Sequence, residues 1–134
     1  MTRTLKGTDM ADQSEFSYSM TGLRYSANEK EEVTASTDWE GTATGFGAVF
    51  GTLIATFPLA DANATSGTCR WVGGATPDDG SLLAGIGEGT WQRPAGEHRW
   101  NIAMTVTLSN GDQVKGVGVL DLGSRSFTGT FAML

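Results

Sequence analysis

The chain has 134 residues, a formal net charge of −6 and one cysteine. That length suits a single domain, and an acidic surface with no Lys/Arg cluster excludes nucleic acid and anionic membrane surfaces as partners. Apolar content of 39 % against 18 % charged residues excludes a disordered chain.

Residues 1–14 are polar and unpatterned and read as a flexible N-terminal tail, with 15–134 as one β domain. They lack the apolar core of a signal peptide, and no apolar stretch approaches the roughly 20 residues that span a bilayer. The cytoplasm is the expected location. From Phe16 the pattern has period two: Phe16, Tyr18 and Met20 alternate with Ser17, Ser19 and Thr21, as in a half-buried strand. An acidic turn at 28–32 leads to a strand at 33–39. Residues 42–57 form the longest strand-like run, with Gly45, Gly47 and Gly51 permitting it to bend and with Phe46, Ala48, Phe50 and Ile54 on one face. A loop at 58–66 precedes a strand at 67–73, where Cys69 reads as a buried structural thiol. Thr76-Pro77-Asp78-Asp79-Gly80 is a turn signal. Strands at 82–92 and 98–109 flank the turn Arg93-Pro94-Ala95-Gly96. Asn110-Gly111 predicts a two-residue type I′ hairpin, a strand at 112–122 follows, Gly123-Ser124 turns again, and 126–133 closes the series.

About eight strands spaced as an up-and-down meander, with no sustained helical periodicity, predict an all-β closed antiparallel barrel. A two-sheet sandwich is the alternative. Closure removes exposed edges, and eight staves leave an interior that side chains fill or that holds one small ligand.

Hairpin register carries inside and outside from strand to strand. Trp100, Ile102, Met104, Val106 and Leu108 alternate with Arg99, Asn101, Ala103, Thr105 and Thr107, so the even positions are expected inside. A symmetric turn centred on Ala95 would pair Glu88 with Ile102, placing Leu82, Ala84, Ile86, Glu88 and Thr90 inside. Leu83, Gly85, Gly87, Gly89 and Trp91 would then face out, a rather apolar outer face that a homo-oligomer would explain. Across a two-residue turn at Asn110-Gly111, Lys115, Val117, Val119 and Asp121 would face in. The last strand places either Thr128 and Thr130 inside, or Phe127 and Phe131 if its turn is bulged; hydrophobicity favours the phenylalanines.

Glu88 is the leading catalytic candidate, because a carboxylate on an apolar inner wall has a raised pKa and can act as general acid or base. Asp121 and the only histidine, His98, are the other acid–base candidates, although Asp121 could instead support the Gly123 turn and His98 could be a solvated turn residue. Substrate-lining candidates are Tyr18, Phe46, Phe50, Trp71, Ile86, Trp100, Ile102 and Met104, aromatic and aliphatic walls suited to an apolar ring. Arg70 could bind a ligand carboxylate or enolate, or lie outside over an aromatic ring. One histidine and one cysteine make a metal site improbable, and the glycine pairs lack the spacing of a dinucleotide or kinase loop. No cofactor is expected.

Gly45-Phe46-Gly47 through Gly51-Thr52-Leu53, the strand Gly87-Glu88-Gly89-Thr90-Trp91 and the closing hairpin from Gly123 to Gly129 resemble the small eight-stranded, calycin-like barrels of the allene oxide cyclase and dirigent type. The resemblance spans most of residues 15–134 and lies in strand grammar and glycine placement. It implies an apolar small molecule in the barrel and, often, an isomerisation or cyclisation steered there; no catalytic residue carries over. Gly89-Thr90-Trp91 is also similar to the Gly-x-Trp of lipocalins. Two functions are therefore expected: a cofactor-free isomerase, cyclase or lyase acting on a hydrophobic metabolite, or a non-catalytic carrier of one.

Overall fold

The computed structural model describes residues 14–134, so the expected tail lies outside the described residues except for Ser14. Eight strands follow one another: β1 (Ser14–Ala27), β2 (Glu32–Ala43), β3 (Gly47–Pro58), β4 (Ser66–Thr76), β5 (Leu83–Gln92), β6 (Arg99–Leu108), β7 (Gln113–Asp121) and β8 (Ser126–Met133). Each pairs antiparallel with the next, and β1 pairs with β8, closing an up-and-down barrel. This architecture is compatible with a calycin-like fold. Among the described residues no helix is long and apolar enough to cross a membrane.

Local turn chemistry decides which way each stave faces. The run 42–57 is not one bent strand. It is the end of β2, a tight reversal, and β3, with Gly45 and Gly47 at φ of 81° and 70°, a left-handed region that side chains other than glycine rarely adopt. At Asn110-Gly111 only Gly111 has positive φ, at 94°, whereas a type I′ turn needs two such residues. Leu108 instead receives the Gly111 N–H and donates to Asp112, and Val106 pairs with Val114 rather than Lys115. The loop is one residue longer than expected, which inverts β7. Between β5 and β6, Gly96 at φ 82° sits in a turn closed by Glu97 N–H on the Pro94 carbonyl. The register pairs Trp91, not Glu88, with Ile102. That odd offset inverts β5 as well.

With both corrections the barrel is consistent. Leu83, Gly85, Gly87, Gly89 and Trp91 face inward, and Ile86, Glu88 and Thr90 face solvent. The expected inner face of β6 is as observed, with Ile102 buried and Met104, Val106 and Leu108 half-buried. Phe127 and Phe131 are inside as expected. The bulge responsible sits at Gly111, however, not at the last turn, where Leu120 pairs with Phe127 in the register of a two-residue reversal.

Glycine on one stave accommodates a large side chain from another, the small-against-large filling that a narrow barrel requires. A Cβ on Gly67 would stand 2.6 Å from the Trp91 ring, one on Gly118 would stand 2.7 Å from Phe16, and one on Gly87 would stand 2.8 Å from the Met104 sulfur. Trp39, Trp91, Leu120, Ile102 and Phe127 belong to the buried core. The Trp39 indole N–H donates to Thr37 Oγ1 at 2.8 Å, and the threonine hydroxyl donates to the Leu53 carbonyl at 3.3 Å, so both buried polar groups are satisfied.

A β-bulge between Met20 and Gly22 redirects β1 where it leaves β8. Beyond it, among the described residues, 22–27 pair only with β2, and residues 55–58 of β3 likewise have β2 as their one neighbour. The three strands thus project past the ring as a short tongue, on which Leu23 and Tyr25 are exposed.

Candidate functional site: an apolar cavity at one end of the barrel

Alternation along the staves brings one set of side chains into a cavity of about 120 Å³. Phe16 and Tyr18 come from β1, Val49 from β3, Trp71 from β4, Ile102, Met104 and Val106 from β6, and Phe127 and Phe131 from β8. Phe46, in the β2–β3 turn, and Leu83, Leu108 and Val114, beside the β4–β5 and β6–β7 turns, place the mouth at that end. Trp39, Trp91 and Leu120 do not line it; they fill the other half of the barrel.

The aromatic lining is interlocked. Tyr18 stacks on Phe16 with centroids 4.9 Å apart and on Trp71 at 5.8 Å. Phe127 meets Phe16 edge-on at 5.1 Å, and Phe46 packs at 5.7 Å from Phe131. Such pairs hold rings in fixed relative orientation and shape the wall. Gly51 and Gly73 make room for the Trp71 indole, which crosses the position a side chain at either would occupy. Among the described residues no charged side chain lines the cavity, and the one titratable group there is the Tyr18 phenol, pushed up to about 12 by burial.

No protein-family model, curated protein or solved structure matches this chain.

The structure brings Tyr18, Phe46, Trp71, Ile102 and Met104 to the cavity and places the other sequence candidates elsewhere. Phe50 and Ile86 are corrected to the outer surface, 51 % and 53 % exposed, because β3 starts after the Gly45–Gly47 reversal and β5 is inverted. Trp100 is half-buried but off the lining, with the Arg93 guanidinium 5.7 Å over its ring. Arg70 is outside, opposite Glu88 on the neighbouring strand. Glu88 itself is exposed, so the inward carboxylate expected there is corrected, for the register reason given above. Its pairing with Thr105 keeps it on the outer wall.

His98 and Asp121 do meet, with Glu97, Arg99, Gly123 and Ser124, but around a shallow depression on the outer surface. The inward facing expected of Asp121 fails with the inversion of β7. One carboxylate oxygen accepts from the Gly123 N–H at 2.8 Å and the Ser124 N–H at 3.3 Å, and the other accepts from Arg99 Nε at 3.1 Å. The Gly123 N–H, foremost, together with Ser124 and Arg99, holds this carboxyl below its usual range, while partial desolvation opposes them. Asp121 supports the β7–β8 turn, the simpler of its two expected roles. Lys115, also expected inside, is exposed. Cys69 is buried, and burial pushes its thiol up to about 11. Among the described residues no cluster of His, Cys, Asp or Glu could hold a metal.

Val49, Leu83 and Val114 were not foreseen as lining residues. For Leu83 the available signal was the glycine alternation itself: Gly85 and Gly87 lie under Met104, Val106 and Leu108, and a small-residue stripe marks an inner stave in so narrow a barrel.

Proposed function

We propose that this protein binds a compact, uncharged, ring-containing hydrophobic molecule in the mouth of the barrel and serves as its carrier or sequestering protein. The observation that carries the reading is an apolar cavity of about 120 Å³ with, among the described residues, no charged side chain in its wall. An engineered apolar cavity of about 150 Å³ takes up benzene, so a single ring is the matching size, with a substituent free to leave through the mouth. The stacked faces of Phe16, Tyr18 and Trp71 offer such a ring favourable contacts. Glu88, Asp121 and His98 stand on the outer surface, which favours binding over acid–base turnover. The resemblance to allene oxide cyclase and dirigent barrels supports the same ligand chemistry.

Titration with toluene and with methylcyclohexane tests this, read by backbone amide chemical shifts and tryptophan fluorescence. Saturable binding is expected, with shifts concentrated on Val49, Gly116, Gly118 and Phe131, and Val114→Trp at the mouth should abolish it. Absence of saturation, or shifts confined to the outer wall around Phe50 and Ile86, would refute the reading.

A further inference from the structure

Glycine weakens a strand interior, because it adds entropy to the unfolded chain and offers no side chain to pack. For most glycines in the cavity lining a neighbouring side chain explains its presence. A Cβ on Gly73 would stand 2.8 Å from the Trp71 indole nitrogen, one on Gly85 would stand 2.9 Å from Val106, and one on Gly118 would stand 2.7 Å from Phe16. Gly74 shares the outward parity of exposed Val72. Gly116 is different. Among the described residues beyond its own chain neighbours, a Cβ there would meet only two atoms within 4 Å, the Thr130 carbonyl oxygen at 3.3 Å and the Phe131 Cβ at 3.4 Å. Both belong to the adjacent stave β8, and nothing from across the barrel comes so near.

Position 116 nevertheless points inward. It pairs with Met104 on β6 and Phe131 on β8, both in the cavity wall, and directly paired residues share a face of the sheet. It also has the parity of Leu120, which is buried. Its φ is not in the left-handed region, so the backbone does not require glycine. Neither packing nor conformation accounts for the missing side chain, and the room it leaves opens on the cavity. We infer that Gly116 is a specificity-determining residue: a bound ring lies against its bare backbone, and the lack of a side chain there sets the largest ring the barrel accepts. The inference rests on the binding reading above and adds to it the residue that limits ligand size.

The test compares cyclohexane with cyclopentane on the wild-type chain and on Gly116→Ala, by titration followed through backbone amide shifts. The two probes differ by one methylene within the ring itself, so neither can send the difference out through the mouth. Wild type should favour cyclohexane by about fourfold, the worth of one buried methylene. Gly116→Ala puts a methyl group into the same space, and the ratio of the two affinities should fall by about tenfold, making cyclopentane the tighter ligand. A general disturbance of the barrel would weaken both rings alike and leave that ratio where it was, and an unchanged ratio would overturn the inference. A second measurement needs no variant and decides the matter even if Gly116→Ala fails to fold. Bound cyclohexane should show nuclear Overhauser contacts to the Gly116 Hα protons in the wild-type protein. Contacts to the Val49 methyls without any to Gly116 would overturn the assignment, while the carrier reading stands. If neither ring saturates the wild-type protein, the carrier reading itself has failed and the role of Gly116 falls with it.

Discussion

Gly51→Ala offers a direct measure of how the wall is built. Gly51 lies under the Trp71 indole, and in the native geometry a methyl group there would overlap the ring. Its backbone is not in the left-handed region, so any cost arises from packing. Overfilling a close-packed site costs about 1–3 kcal/mol. At about 2 kcal/mol, with a urea m-value of about 1.5 kcal/mol/M, the midpoint should fall by about 1 M. In a Trp71→Leu background the obstacle is gone. The same substitution should then be neutral, or stabilising by about 0.5 kcal/mol through the stiffer unfolded chain. The expected coupling is therefore about 2 kcal/mol, well above the additivity error of about 0.5 kcal/mol. Gly111→Ala is the control, because nothing stands within 4 Å of the added atom but φ is 94°. It should cost about 1–2 kcal/mol through the backbone alone, with no dependence on residue 71. Urea unfolding of the four-member cycle, followed by far-UV circular dichroism, supplies the numbers. Equal cost of Gly51→Ala in both backgrounds would refute the account of the wall.

Glu88→Gln should leave stability within about 0.5 kcal/mol, as at other exposed positions, and leave ring binding unchanged; loss of binding would return that carboxylate to the site. Alkaline unfolding should expose the two raised groups. Tyr18 goes from 10.0 unfolded to about 12 folded, and Cys69 from 9.0 to about 11, so the folded state holds these protons longer. Stability should thus be intact below about pH 9 and fall as pH climbs through 9–12, with a tyrosinate absorbance step near pH 12 in the native protein. Asp121→Ala should destabilise the β7–β8 turn more than Asp121→Asn, whose side-chain oxygen can still accept from Gly123. Because this carboxyl is held below its usual range, its contribution should be complete at neutral pH and vanish on acidification, as pH-dependent melting of wild type and Asp121→Ala will show. Cys69 should resist thiol reagents in the native state and react fully in denaturant.

The strand count, the closed meander and the inner face of β6 were legible because period-two alternation is strong where one face is polar, as it is from Arg99 to Leu108. Tyr18 could be placed on the half-buried face of its strand for the same reason, whereas Trp71 was a candidate only as one of several aromatic residues. What could not be read was parity across two loops. Asn110-Gly111 satisfies the sequence preference of a two-residue turn, yet the chain adopts a longer loop that uses Gly111 alone, and the hydrogen bonds of Leu108 with Gly111 and Asp112 are tertiary facts. One residue of loop length sends every later side chain to the opposite face until another turn compensates. The candidate site suffered more than the fold, since Glu88, Asp121 and Ile86 all depended on those loops whereas closure did not. The glycines of β5 were ambiguous in one dimension: a stripe without side chains is neither polar nor apolar, and only the bulk of Met104 and Val106 above it shows which way it faces.

The bulge after Met20 also sets where the molecule opens first. Up to Ser19, β1 is clasped by β8 on one flank and β2 on the other; from Gly22 onward one flank has no strand among the described residues. Backbone N–H groups on that flank lack a ladder partner there and Tyr25 is exposed, so deuterium should enter the segment around Tyr25 long before it reaches buried Trp39 or Leu120. Fraying therefore begins at the pole away from the mouth. The rim around Phe46 and Val114 can remain intact while the opposite extremity loosens.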